Sequence, residues 1–179
     1  MHSPPASVAN LVGALGIAVA DAVRGAARAA TGHGGELPGA LVTLAAFRGA
    51  SMAELQQALG LSQPGTVRVV DRLVTQGWVE RRPGLEGRSV ALELTSAGGQ
   101  AAQRLRAERE RALATLLHPL NEAERVQLAG LVDKILWSRA HAGRDPRHLC
   151  RLCDRDVCDP CPVADGAWAA RTTDEEEPC

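Results

Sequence analysis

The sequence predicts a mainly α-helical fold interrupted once by a β-hairpin. Three observations predict it. Two short stretches with helix-capping signals are joined by Gly60-Leu61, which gives helix-turn-helix dimensions. After Gly77 the apolar period falls to two, with Val90, Leu92 and Leu94 alternating. Beyond Thr95 the chain is again helical in pattern and dense in charge. A hairpin placed directly after a helix-turn-helix makes a winged helix.

The first helix is expected from about Ser7 to Ala30, where Leu11, Leu15, Val19, Ala22 and Ala26 recur at helical spacing. It is apolar over much of its circumference, so it is expected to pack between other helices or against a second subunit. Gly32, Gly34 and Gly35 end it, and a second helix runs from Pro38 to about Phe47. Ser51-Met52-Ala53-Glu54 has capping-box form and opens the third helix, with Leu55 and Leu59 facing inward. Ser62 caps the fourth, which tolerates Pro64 in its first turn. That helix is expected to bury Val67, Val70 and Val74 and to turn Gly65, Arg68, Val69 and Arg72 outward. Trp78–Arg82 and Arg88–Leu94 read as strands around a Pro83-Gly84-Leu85-Glu86-Gly87 turn. Thr95 or Ser96 caps a long helix to about Leu117, which Pro119 breaks. Asn121-Glu122-Ala123-Glu124 starts another that reaches about Ala140 on Val126, Leu128, Leu131, Val132, Ile135 and Leu136.

Composition narrows the function. Apolar residues make up 45% of the 179, enough to build a core, and the net charge of −1 excludes a polybasic nucleic-acid protein. That average hides a contrast, because residues 141–179 carry nine acidic and five basic groups, whereas residues 96–140 carry seven basic and five acidic. The aromatic side chains are Phe47, Trp78, Trp137 and Trp168, too few for the stacking platforms of single-strand or RNA readers. The longest apolar run, Leu11–Ala20, is about half a bilayer span. Ala18-Val19-Ala20 has the form of a cleavage site, but no Lys or Arg precedes it, so a cytoplasmic protein with no membrane association is expected.

Leu61-Ser62-Gln63-Pro64-Gly65 and Arg68-Val69-Val70-Asp71-Arg72-Leu73, then Gly77-Trp78-Val79-Glu80-Arg81-Arg82, Leu92-Glu93-Leu94-Thr95 and Gly98, resemble the recognition helix and wing of MarR-type (multiple antibiotic resistance regulator) transcription factors. The helix order agrees over about residues 5–140. The resemblance implies a homodimer whose first and last helices interleave, acting mostly as a repressor on a palindromic DNA operator. It also implies release of DNA on binding a small, often phenolic, effector between dimer core and reading head. Some relatives sense oxidants through a cysteine near the first helix, and this chain has none there. On this basis residues 1–37 are a dimerisation helix and loop, 38–95 the winged-helix lobe, and 96–142 the C-terminal dimerisation helices. Residues 143–162 are a cysteine-rich metal-binding loop, and 163–179 an acidic flexible tail.

DNA contacts are expected at the helix that starts with Ser62, Gln63, Pro64 and Gly65, whose unpaired amides favour phosphate. Gln63 can pair with a base edge, Arg68 with guanine or phosphate, and Arg72 with phosphate. Arg81 and Arg82 can meet the backbone, and Arg88 is placed for the minor groove as the wing arginine of the family is. The competing reading is a solvated surface in which Arg72 or Arg82 pairs with Asp71 or Glu80. His33, His118 and Arg109 are candidates for an effector pocket that nothing in the sequence distinguishes from ordinary surface groups.

All five cysteines lie late in the chain. Cys150-x2-Cys153 and Cys158-x2-Cys161 are two pairs that can direct four thiolates at one metal, which suits zinc or an iron–sulfur cluster. Either a structural zinc clip or a redox- or metal-sensing site fits. His148 can replace one thiolate, although an exposed loop position is the simpler reading, and Cys179 is expected to be a free thiol. A lone C-x2-C pair would suggest a thiol oxidoreductase, but the pairs are doubled and no βαβ pattern surrounds them. No nucleophile–base–acid set or phosphate loop is present, so an enzyme is not expected. A winged-helix protein-interaction module is also disfavoured, by the arginines on the outer face of the fourth helix.

Overall fold

The computed structural model describes residues 4–83, 90–140, 146–154, 157 and 161–163. The order is α1 (Pro4–Thr31), α2 (Leu37–Ala46), β1 (Ala50–Ser51), α3 (Met52–Leu59), α4 (Gln63–Thr75), β2 (Val79–Pro83), β3 (Val90–Leu94), α5 (Ser96–Leu117), α6 (Glu122–Ala140) and α7 (Pro146–Cys150). The mainly helical winged-helix class read from the sequence is the class observed.

Local chemistry sets most boundaries. The Ser51 side chain accepts from the Glu54 amide while Glu54 returns to the Ser51 amide, a complete capping box for α3. Gly60 ends α3 at φ 66°, the left-handed conformation that glycine adopts without strain. Asn121 and Glu124 exchange the same pair of bonds at the start of α6, at 3.0 and 2.8 Å. The wing is a three-stranded antiparallel sheet in the order β1-β3-β2. Its third strand, β1, was not anticipated: Ala50 and Ser51 pair with Leu92 and Ala91.

One core joins α2, α3, α4, the sheet and the first turns of α5. Leu37, Leu41, Leu44, Leu55, Leu73, Leu92 and Val70 are all but inaccessible there. The phase of α4 differs from the expectation. Thr66, Val70 and Leu73 are buried, whereas Val67 is 37% exposed and Val74 only half-buried. Thr66 can occupy a core position because its hydroxyl donates to the Ser62 carbonyl at 3.1 Å, which leaves no orphaned donor. Val69, expected to face outward, is half-buried against the same core.

The stem is less covered. α1 packs along α5, with Ala26 and Ala27 buried. Its N-terminal half leaves Leu11 66% and Leu15 51% exposed, rather than buried within the chain. Ser7–Thr31 is long and apolar enough to cross a membrane by length and composition alone. Its packing along α5 ties it instead to the rest of the fold. On α6, Val126, Leu131, Ile135 and Trp137 are exposed.

The joint between head and stem is tight. Thr95 caps α5 through the Gly98 amide at 3.0 Å, donates its hydroxyl to the Gly77 carbonyl at 2.6 Å, and donates its amide to the Trp78 carbonyl at 3.0 Å. A Cβ on Gly98 would lie 2.0 Å from the Trp78 carbonyl oxygen, a backbone atom that cannot rotate away. Gly98→Ala is therefore expected to destabilise the protein by about 2–4 kcal/mol, the range of a severe steric defect. Urea unfolding at fixed protein concentration checks this. An unchanged midpoint would show that α5 can move off β2 without loss.

Candidate nucleic-acid interface and cysteine site

The N-terminus of α4 stands clear of the core. Ser62 is its N-cap, with Oγ 3.4 Å from the Gly65 amide, and Pro64 lies in the first turn without depriving the helix of a donor it needs. Ser62, Gln63 and Pro64 are exposed and Gly65 is half-buried beneath them. Pro64, Arg68 and Arg72 follow at four-residue intervals, so they form one outward stripe. Arg68 and Arg72 are both exposed, and Arg68 Nε donates to the Pro64 carbonyl at 3.2 Å, which holds the guanidinium over the first turn. Val67 belongs to this exposed surface. The sequence reading missed it because three similar valines, at 67, 70 and 74, gave no local sign of which would face out.

The wing arginines are engaged within the protein. Arg81 Nη2 lies 2.6 Å from Asp71 Oδ1, and Arg82 lies 2.8 Å from Glu80 and 3.9 Å from Glu93. The expected Arg82–Glu80 pair is present. Asp71 pairs with Arg81 rather than Arg72, because adjacent residues on a helix do not face one another. Exposed pairs of this kind contribute at most about 1 kcal/mol, so phosphate can displace the carboxylates. Arg88 lies outside the described residues.

The cysteine segment folds back against the body. α7 ends at Cys150, and a turn from the Cys153 amide to the Cys150 carbonyl, 2.9 Å, brings the two side chains together. A hydrogen bond from Cys150 lowers the Cys153 thiol to about 6. Burial opposes this, the Arg109 and Arg151 guanidinia reinforce it, and Asp154 opposes it weakly. Arg109 Nη2 sits 3.9 Å from Cys153 Sγ, and Arg106 Nη1 sits 3.9 Å from Asp154. The Nε atoms of Arg106 and Arg109 are buried with no hydrogen-bond partner, so an anionic group here would meet unsatisfied donors. Cys161 is half-buried, while Cys158 and Cys179 lie outside the described residues. Among the described residues no three His, Cys, Asp or Glu side chains are gathered closely enough to hold a metal.

His148 is not on an exposed loop. Its ring lies against Gly60, with Nδ1 buried and lacking a hydrogen-bond partner. His33 stacks edge-on to Trp78 at a centroid separation of 5.7 Å, and His118 is the exposed C-cap of α5. A cavity of about 460 Å³ opens between the head and α5, lined by Leu44, Arg48, Glu93, Thr95, Gln103 and Arg106.

This arrangement defines a winged-helix protein with long helices flanking the winged-helix lobe. Residues 39–89 match the model of the MarR family, and about three-quarters of the chain shares the fold of solved MarR-type structures. The transcriptional repressor MprA of Escherichia coli (strain K12) is 32% identical over 100 residues, which are 54% of this chain and 57% of that repressor. The chain thus spans little more than half the length of this curated relative. The apo crystal structure of wild-type MarR from E. coli superposes with a TM-score of 0.62 at 21% identity, covering 76% of this chain and 99% of that one. MepR, a regulator of the Staphylococcus aureus multidrug efflux pump MepA, superposes at 0.64 with 18% identity, covering 73% and 97%.

Thiolate character at Cys153 has a readable consequence. In metal-free protein its alkylation by iodoacetamide is expected to rise with pH through a midpoint near 6, well below an ordinary thiol. The depressed value also means that contacts favouring the thiolate are lost as pH falls through about 6. Mass spectrometry of Cys153 against pH checks both, and a midpoint above 8 would overturn the assignment.

Proposed function

We propose that this chain is a MarR-family transcriptional regulator that binds duplex DNA in sequence-specific fashion as a homodimer, as a cytoplasmic repressor rather than an enzyme. The observation that carries this reading is the exposed N-terminus of α4, with Gln63, Arg68 and Arg72 outward and the opposite face packed on Val70 and Leu73. That disposition suits insertion into a major groove. Val67 adds an apolar surface suited to a thymine methyl group. The similarity to the repressor MprA supports repression. The exposed apolar faces of α1 and α6 support a second copy as their cover.

Cys150, Cys153, Cys158 and Cys161 are proposed to hold zinc or an iron–sulfur cluster that reports metal or redox state. A lowered thiol and two buried arginine Nε atoms without acceptors fit a negatively charged thiolate complex. The cavity between head and α5, with Arg48 and Arg106 in its wall, favours a second input, a small-molecule effector. With that input alone, the cysteines would form a structural zinc clip.

Selection of binding sites from random duplexes is expected to return a palindrome with half-sites about one helical turn apart. Arg68→Ala and Arg88→Ala should each weaken binding to it by about 1–3 kcal/mol while the dimer persists in sedimentation. Unchanged affinity in both variants would remove the reading head from DNA recognition. Anaerobically purified protein that is brown, with iron and acid-labile sulfide, would establish a cluster. One zinc per chain in colourless protein would overturn the redox cluster.

A further inference from the structure

Residues 147–154 touch both the stem and the helix-turn-helix. On the stem side, Leu152 packs against Ala27 of α1, Val42 of α2 and Leu105 of α5. Asp154 and Cys153 approach Arg106 and Arg109 of α5, each at 3.9 Å. On the head side, Arg147 is only 7% exposed, and its Nη2 donates to Gln57 Oε1 on α3 at 2.6 Å. The His148 ring fills the space over Gly60, where an added Cβ would lie 3.2 Å from Nδ1. Arg151 lays its methylenes over Gly39 of α2 and donates from Nη1 to the His148 carbonyl at 2.6 Å.

We infer that this segment is a strap through which the state of the cysteine pair is transmitted to the N-terminus of the recognition helix. Arg147 and Cys150 are one helical turn apart on α7, so a displacement of the Cys150 sulfur turns Arg147 with it. Arg147 grips Gln57, and His148 bears on Gly60, the left-handed residue two positions before the Ser62 cap. Any shift there re-aims the first turn of α4. The nature of the signal rests on the proposed metal site, while the mechanical link stands on the contacts themselves.

Amide exchange and DNA titration on the full chain test this, with zinc ion alone as the probe. Arg147→Met keeps the aliphatic packing and removes the bond to Gln57. Gln57→Met removes the same bond from an exposed position, should the first variant fold poorly. Either change is expected to speed exchange over residues 52–63 about ten-fold in metal-free protein, the effect of losing a charge-assisted hydrogen bond. Zinc should slow exchange there in the wild type and shift affinity for the selected palindrome several-fold. Neither response should survive in the variants, although they still bind zinc. Unaltered exchange in both metal-free variants overturns the strap. So does stoichiometric zinc binding by the wild type that changes neither exchange nor affinity. If the wild type takes up no zinc, the zinc reading fails, and the metal-free comparison alone decides for or against the strap.

Discussion

The close approach of α5 to the Trp78 carbonyl is the constraint on which the rest of the structure turns. Trp78 donates its amide to Leu73 at the end of α4 and accepts the Thr95 amide at the start of α5. The end of α4 and the starts of β2 and α5 therefore meet at a single residue. Thr95 closes this joint by capping α5 and holding Gly77 with one hydroxyl. Only a glycine at position 98 lets the first turn of α5 come so near. The direction in which Arg68 and Arg72 point relative to the stem is consequently a property of these few backbone contacts.

What could be read from the sequence follows from the range of the interactions. The caps at Ser51, Ser62, Thr95 and Asn121 involve partners within four residues, so the pattern alone announced them. The alternation in β3 likewise announced the wing. β1 gave no signal, because two residues have no period, and they are a strand only by virtue of Ala91 and Leu92 beside them. The phase of α4 was misread because Thr66 is polar by type and Val67 is not, yet the Thr66 hydroxyl is satisfied by Ser62, so Thr66 takes the core position and Val67 faces out.

The cysteine site shows the opposite limit. Its C-x2-C spacing is local and was legible. The arginines that give it electrostatic character arrive from far along the chain, Arg109 lying 44 residues before Cys153. The link from Arg147 to Gln57 spans 90 residues. No periodicity encodes such contacts. Arg109 was picked out only as an effector-pocket candidate, and nothing local set it apart from exposed neighbours such as Arg104 and Arg111.

The distribution of exposed apolar groups bears on how these parts would act together. Among the described residues α6 packs little against the other elements, and it carries Val126, Leu131, Val132, Ile135 and Trp137 on its surface. α1 does the same through Val8, Leu11, Val12 and Leu15. Leaving that much apolar surface in water is unfavourable by roughly 25 cal/mol per Å², so a second copy has a strong reason to cover it. A dimer formed this way would anchor each stem, so that the orientation of each head would be set at its junction with the stem. The strap and the 460 Å³ cavity both lie between head and stem, and Arg106 contributes to both. A guanidinium shared between the wall of a ligand cavity and the anchor of the cysteine segment provides a physical route by which two inputs could bear on one output. A ligand that drew Arg106 into the cavity would weaken its hold on Asp154, and a cysteine site that fixed Asp154 would restrain Arg106 in the cavity wall.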